Sequence, residues 1–209
     1  MIGFYNYTVI LTYLSVVSAV IGISLAIQGF VFGAIPCLML SGFCDMLDGT
    51  VAKTKEQNDM EKKFGIQIDA LADLISFGVF PALIGYTLGL NKPIHLLVLM
   101  VYILAALIRL AYYNVTEEMN LQTQETRSHY DGLPVTSVAI IIPLFWCFRS
   151  SLNSYFPAAY GVLLFCLAAA FVSKIKVKKA NLKGRLVMAF VGVLILSYLT
   201  AGGWKFGIY

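Results

Sequence analysis

The chain reads DMLDGTVAK at residues 45–53 and, after eleven further residues, GIQIDALAD at residues 65–73. Together the two segments hold four aspartates: Asp45, Asp48, Asp69 and Asp73. On a helix, the aspartates of the first segment lie three positions apart and those of the second lie four apart, so each pair shares one helix face. Four neighbouring carboxylates repel one another unless a cation lies between them. Because oxygen ligands suit magnesium or manganese, the spacing predicts a divalent-metal site.

The composition is that of a membrane protein. Of the 209 residues, 59% are hydrophobic and 12% are charged, and the mean hydropathy is +0.81, which excludes a soluble globular domain. Backbone groups in lipid must be satisfied within the chain, so the apolar stretches are predicted to be helices. Seven stretches have spanning length or nearly so: 8–28, 30–53, 66–89, 93–114, 133–149, 155–173 and 185–203. The longest polar stretch, 115–132, is predicted to be a loop.

The aspartates are predicted to lie at the same end of two antiparallel helices. The second stretch is apolar only to Cys44, and the third turns apolar after Asp73. A carboxylate is costly inside the bilayer, which favours this placement at the membrane edge. Most of the 15 lysines and arginines fall on the same side as the aspartates, largely between the second and third helices and between the sixth and seventh. By the positive-inside rule, that side faces the cytoplasm.

A purely structural explanation accounts for only part of this pattern. One or two aspartates in a membrane helix could pair with a lysine, such as Lys53 or Lys62. Four aspartates interleaved with small residues need another explanation, because small residues let backbones approach each other or a ligand closely. The small residues are Gly49, Ala52, Gly65, Ala70 and Ala72. The pattern therefore favours a ligand site.

The two segments resemble the signature of the CDP-alcohol phosphotransferases. That signature reads Asp-x-x-Asp-Gly-x-x-Ala-Arg, a spacer, and Gly-x-x-x-Asp-x-x-x-Asp. Seven of its eight defining positions match here: Asp45, Asp48, Gly49, Ala52, Gly65, Asp69 and Asp73. Lys53 stands in place of the arginine, which keeps the charge but loses the planar fork that grips phosphate. The spacer is three residues longer than is usual in the family, and neither departure removes a carboxylate.

The resemblance implies an all-α integral membrane enzyme with a six-helix core. The core would cover residues 1–175, with the signature at 45–73, and residues 176–209 would add a basic cytoplasmic loop and at least one C-terminal transmembrane helix. Such an enzyme transfers a substituted phosphoryl group from a CDP-linked donor to an alcohol and releases CMP. The resemblance also implies that all four aspartates bind a pair of divalent ions, Mg²⁺ or Mn²⁺, and that Asp73 is the general base.

The same resemblance indicates which residues bind the CDP-linked donor. The residues expected near the diphosphate are Gly49, Ala52, Lys53 and Gly65. Asn6 and Thr8 resemble the Asn-x-x-Thr region that lies near the nucleotide in family members, with a spacing that is one residue shorter.

Three further segments resemble the phosphatidylserine synthase branch of that family. They are DLISFG at 73–78, RLAYYN at 109–114 and GLPVT at 132–136. The branch implies transfer from CDP-diacylglycerol, or from an archaeal ether analogue, to L-serine, which gives phosphatidylserine and CMP. The candidate serine ligands in these segments are Ser76, Arg109, Asn114 and Thr136.

Some of these residues also have structural interpretations. Arg109 could extend from its helix end to the membrane interface, and Ser76 could bond to the backbone of its own helix. Pro81 is predicted to kink the third helix. Gly132 and Pro134 are predicted to shape the start of the fifth.

The expected partners are CDP-diacylglycerol, L-serine, the lipid bilayer and a second copy of the chain in a homodimer, without nucleic acid. Two alternatives stay open. An enzyme of the same family with glycerol 3-phosphate or inositol phosphate as acceptor would need a further cationic cluster, which the lysines between the sixth and seventh helices could supply. A cation transporter would use the aspartates as a transit site, although such acids usually lie near the membrane midplane.

Overall fold

The computed structural model describes residues 3, 7–51, 54, 58–123, 129–178 and 182–202. These residues form seven main helices: α1 (Ile10–Ile27), α2 (Val31–Val51), α3 (Asp59–Thr87), α4 (Pro93–Thr123), α5 (Val138–Trp146), α6 (Phe156–Val172) and α7 (Leu182–Gly202). Two three-residue strands, β1 (His129–Asp131) and β2 (Lys176–Lys178), pair antiparallel. The predicted all-α class is confirmed, and each predicted apolar stretch overlaps one of the seven helices.

Five helical segments in the described part of the chain are long and apolar enough to cross a bilayer: Ile10–Ile27, Val31–Val51, Asp59–Thr87, Pro93–Glu117 and Arg149–Val172. Helix α5 lies in a shorter apolar segment, Val135–Trp146, and α7 is not one of the five. Along α1, large apolar side chains such as Leu14, Val17 and Ile21 are exposed. The buried face of the same helix carries small residues such as Ser15 and Ser18. Lipid surroundings favour this distribution, and the protein is an integral membrane protein.

Helices α1 and α2 form a tight antiparallel hairpin. Gly29 has a φ of +85° in the short connection between them, a backbone conformation that glycine adopts without steric cost. The Ser41 hydroxyl on α2 donates to the Ser15 carbonyl oxygen on α1 at 2.9 Å. The hairpin therefore brings the first turns of α1 beside the last turns of α2, which carry the first pair of aspartates.

Helix α3 changes its winding directly after Asp73. Residues Leu74–Val79 form a π-helical turn, where the sequence predicts only a kink at Pro81. Because proline has no backbone N–H, the Phe77 carbonyl four residues earlier lacks its usual α-helical donor. The buried hydroxyl of Tyr102, on α4, donates to that carbonyl oxygen at 2.6 Å. A side chain of α4 thus donates to a carbonyl oxygen whose α-helical donor is missing.

The segment before α5 is fixed to the end of α6. Gly132 has a φ of +77°, and a Cβ atom at this position would lie 2.5 Å from the Phe171 carbonyl oxygen. The Gly132 N–H donates to the Ile175 carbonyl oxygen at 2.8 Å, and the Leu133 N–H donates to that of Ala170 at 3.0 Å. Together with the β1–β2 pair, these bonds set the position from which α5 enters the bundle.

Two predicted boundaries are wrong. Helix α3 begins at Asp59 and not at residue 66, and α4 continues to Thr123, through the first part of the predicted loop 115–132. Both additions are polar helical turns that apolar periodicity does not detect. At the other end of the chain, α7 packs against α5 and α2, so the predicted further C-terminal helix is present. The division into 1–175 and 176–209 stays a prediction.

Candidate functional site

The four aspartates meet where the end of α2 approaches α3. Asp45 and Asp48 lie in the last turns of α2, and Asp69 and Asp73 lie in α3 just before its π turn. Carboxylate oxygens of Asp45, Asp48 and Asp69 all lie within 4.8 Å of one another. At such separations a single cation with oxygen ligands can contact all three side chains.

Asp73 is the most buried member of this aspartate cluster, with 8% of its surface exposed. Its carboxyl group lies close to that of Asp45, and the carboxyl groups of Asp48 and Asp69 form a second close pair. Two carboxyl groups approach this closely only with a shared proton or with a cation between them. Both pairs join α2 to α3, so a positive charge at this point would hold the two helices together.

Helix α1 forms a third side of the site, which the sequence interpretation did not include. The Thr12 hydroxyl donates to Asp48 Oδ2 at 3.2 Å. One turn further along α1, the hydroxyls of Ser15 and Ser76 share a buried hydrogen bond of 3.2 Å, which joins α1 to the π turn of α3. A signal was present in the sequence, because Thr12, Ser15 and Ser18 recur every three residues in a largely apolar helix.

Two glycines of the signature leave free space at the site. Among the described residues, no atom lies within 4 Å of a Cβ added at Gly49 or Gly65. Gly49 follows Asp48 directly, so no side chain in the described part of the chain covers the backbone beside the carboxylates. The remaining residues expected near the nucleotide lie outside the described part of the chain: Ala52, Lys53, Asn6 and the Thr8 side chain. Their contacts stay predictions.

Two of the candidate serine ligands lie on α4. The guanidinium carbon of Arg109 lies 4.5 Å from the centre of the Tyr113 ring, and Arg109 is 7% exposed. Its side chain is therefore buried inside the protein. The Asn114 side-chain amide donates to the Gln67 side-chain carbonyl oxygen on α3 at 3.2 Å. This contact places Asn114 beside the segment of α3 that carries Asp69.

The other two candidates lie in the π turn and before α5. Ser76 is fully buried, and its bond to Ser15 crosses from α3 to α1. Thr136 is half-buried in the 3-10 turn Val135–Ser137 that precedes α5. Ser76 thus lies on the helix that carries Asp73, and Asn114 contacts that same helix. A role in serine binding stays a prediction for all four candidates.

The ligand atoms fit a hard divalent cation. The cluster offers carboxylate oxygens from Asp45, Asp48, Asp69 and Asp73, and magnesium, manganese and calcium all accept such ligands. The open backbone at Gly49 leaves room for a further anionic ligand next to the metal. A metal-bridged phosphate ester is one species that would satisfy both features.

The chain matches known proteins along most of its length. The family model of CDP-alcohol phosphatidyltransferases matches residues 5–173. A CDP-diacylglycerol–serine O-phosphatidyltransferase of Saccharomyces cerevisiae is 35% identical over 118 residues, which are 54% of this chain and 42% of the yeast protein. A protein of that name from Mycobacterium bovis is 30% identical over 131 residues, 62% of this chain and 45% of the relative.

An archaeal relative covers more of the chain. An archaetidylserine synthase of Methanothermobacter thermautotrophicus is 31% identical over 150 residues, which are 70% of this chain and 61% of the archaeal protein. The chain spans less than two thirds of the length of each of these three relatives.

Proposed function

This chain belongs to the CDP-alcohol phosphatidyltransferase family, and from that premise we propose that it transfers a phosphatidyl group from CDP-diacylglycerol to the hydroxyl of L-serine. The products are phosphatidylserine and CMP. The observation that carries the proposal is the meeting of Asp45, Asp48, Asp69 and Asp73 beside the open backbone of Gly49. The choice of serine is supported by the names of the relatives and by the three segments that resemble the serine branch.

The four aspartates would hold two divalent ions, Mg²⁺ or Mn²⁺. Bound there, the ions would offset the charge of the donor's diphosphate and stabilise CMP as it leaves. The proposal is supported by the oxygens of Asp45, Asp48 and Asp69, which lie within 4.8 Å of one another where α2 approaches α3. The donor's diphosphate would lie against Gly49 and Gly65, with Ala52 and Lys53 beside it. Asn6 and Thr8 would lie near the nucleotide.

Asp73 would act as the general base. Its carboxylate takes the proton from the serine hydroxyl, and the oxygen then attacks the phosphorus that carries the diacylglycerol. A new P–O bond to serine forms as the P–O bond to CMP breaks, and the proton stays on Asp73 until it passes to solvent. Water could also attack the phosphorus in place of the serine hydroxyl, which would hydrolyse the donor. The burial of Asp73 keeps water away from the base and disfavours that side reaction.

Four residues are proposed for the serine site: Ser76, Arg109, Asn114 and Thr136. A buried guanidinium is always charged and suits the carboxylate of an amino acid, so Arg109 is the natural partner of that group. Asn114 lies across from Gln67 and close to the aspartate segment of α3, where it could orient the acceptor.

The site is proposed to face the cytoplasm, in a homodimer within the bilayer. Exposed Lys62 and Lys63 lie in the first turns of α3, and exposed Lys174 follows α6. Lysines and arginines concentrate on the cytoplasmic side of membrane proteins, which supports the orientation.

A radiolabel assay tests the proposed reaction. Purified protein in detergent micelles would receive CDP-diacylglycerol, Mg²⁺ or Mn²⁺, and labelled serine, glycerol 3-phosphate or inositol phosphate. We expect labelled lipid and released CMP with serine alone. Turnover of another acceptor without serine turnover would overturn the proposed acceptor, and failure to release CMP with any of the three would overturn the transferase itself.

The nature of the lipid is tested in the same assay. A CDP-linked diether lipid replaces CDP-diacylglycerol in a parallel reaction, because one relative is an archaetidylserine synthase. The ratio of turnover with the two donors then shows whether the ester or the ether lipid is the better substrate.

A further inference from the structure

Among the described hydroxyl side chains of this bundle, that of Thr12 donates to a carboxylate of the aspartate cluster. Serine and threonine in helices commonly donate to a carbonyl of the preceding turn. Several residues of this chain do so: Thr87 to Ile84, Thr116 to Tyr112, and Ser197 to Val193. Thr12 instead donates across to Asp48 Oδ2 at 3.2 Å, from a position where its residue is only 5% exposed.

From this contact we infer that Thr12 is a positioning residue of the metal centre, which orients Asp48 for the cation. The inference rests on the proposed metal site. A hydroxyl that donates to one carboxylate oxygen fixes the rotation of the carboxyl group and favours its charged form. Asp48 is then held as a metal ligand while lone pairs of its carboxylate stay available toward Asp69 and Asp45.

The contact also explains why α1 belongs to the site. Asp45 and Asp48 come from α2 and Asp69 and Asp73 from α3, so α1 supplies none of the carboxylates. The hairpin turn at Gly29 nevertheless places the start of α1 beside the end of α2. Removing the hydroxyl of Thr12 would take away the 3.2 Å bond from α1 to Asp48 Oδ2 and would leave Asp45 and Asp69 in place.

The experiment compares Thr12→Val with Thr12→Ser. Valine keeps the shape and loses the donor, and serine keeps the donor and loses the methyl group. Binding of Mn²⁺ to purified protein is followed by electron paramagnetic resonance of the free ion, without substrate. Partners that orient metal ligands typically contribute about 10- to 100-fold in affinity. We expect Thr12→Val to weaken Mn²⁺ binding by about tenfold, with Thr12→Ser close to the wild type.

Ser18→Ala is the matched control. Ser18 lies six residues further along the same helix and is buried to a similar degree, and its hydroxyl donates to the Cys37 carbonyl oxygen on α2 at 2.9 Å. Its loss removes one buried bond between α1 and α2 and touches no carboxylate. We expect Ser18→Ala to lower the melting temperature and to leave Mn²⁺ affinity unchanged.

The outcomes separate the two proposals. If the wild-type protein binds no Mn²⁺, the metal centre and the role of Thr12 fall together. If the wild type binds Mn²⁺ and Thr12→Val binds it equally well, or if Ser18→Ala weakens binding to the same extent, only the role of Thr12 is overturned. Should Thr12→Val not fold, Thr12→Ala also lacks the donor and is measured in its place.

Discussion

At the scale of single residues, Asp73 combines burial with direct contact to the other acids. It lies directly before the π turn, and its carboxyl group lies close to that of Asp45. Asp45, Asp48 and Asp69 are more open, and their oxygens converge on a common point. This difference in environment supports different tasks for the four acids, with Asp73 as the one that touches the acceptor hydroxyl.

Replacing Asp73 with asparagine tests that assignment. The asparagine side chain keeps the size of the aspartate and lacks the base, so turnover should fall by about 10²- to 10⁴-fold. Binding of the CDP-lipid should be retained in part, because the three remaining aspartates would still bind metal. The measurements are serine-dependent CMP release and binding of a CDP-lipid; wild-type turnover in Asp73→Asn would remove Asp73 as the base.

Lys53 occupies the signature position where the family has arginine. If Lys53 binds the donor's diphosphate as a point charge, Lys53→Arg should retain most of the turnover, because arginine keeps the charge and adds a planar fork. Lys53→Met should raise the KM for CDP-diacylglycerol. If Lys53→Arg is folded and binds Mn²⁺ but has no turnover, lysine does not stand in for the family arginine.

At the scale of helices, the sequence predicted which segments are helical. It did not predict the first residue of α3 or the π turn within that helix. The start of α3 at Asp59 was readable, because Asn58 and Glu61 form a reciprocal capping box with bonds of 2.8 and 3.1 Å. Apolar periodicity begins only near residue 66, and it set the predicted boundary. The π turn includes the contact between Tyr102 and Phe77, 25 positions apart, which no local pattern contains.

The hydrogen bond from Tyr102 should stabilise the π turn measurably. Tyr102→Phe leaves the Phe77 carbonyl without that donor in a fully buried place, which should cost about 1–3 kcal/mol in the free energy of unfolding. Tyr155→Phe is the control, because Tyr155 is largely exposed. Unfolding of both variants in detergent is compared with the wild type. Equal stability of the two variants would contradict the account of the π turn.

Helices α2 and α5 approach each other closely at Gly42. A Cβ atom there would lie 2.3 Å from the Cβ of Ala139, so Gly42→Ala should push the helices apart at a cost of about 1–3 kcal/mol. Gly192 on α7 is the matched control, because a Cβ there meets no described atom within 4 Å. Gly192→Ala should be neutral or stabilise the helix. Thermal unfolding in detergent distinguishes the two, and a harmless Gly42→Ala would refute the close packing.

At the scale of the whole molecule, composition and charge predicted a helical membrane protein with its acids at one membrane edge. The aspartate spacing predicted the convergence of the cluster, because positions three and four apart share a helix face. The part played by α1 was not predicted, since Thr12 and Asp48 are brought together only by the packing of the α1–α2 hairpin. Such a contact depends both on the turn that joins α1 to α2 and on how far the two helices are shifted along each other, and the local sequence pattern contains neither.

The orientation in the bilayer is also a property of the whole chain. Cysteines introduced at Lys62 and Lys92, both exposed, report the two ends of α3. In intact spheroplasts, a membrane-impermeant maleimide should label Lys92→Cys and spare Lys62→Cys, with the wild type as the blank for the native cysteines. In inside-out vesicles the result should reverse. Labelling of Lys62→Cys in intact spheroplasts would place the aspartates on the outer side.

Anomalous diffraction from crystals grown with Mn²⁺ and a CDP-lipid would test the joint metal site most directly. Our account expects manganese peaks among the carboxylates of Asp45, Asp48, Asp69 and Asp73, with the diphosphate bound beside Gly49. Crystals that hold the CDP-lipid while manganese is absent from this cluster, or lies elsewhere, would contradict it.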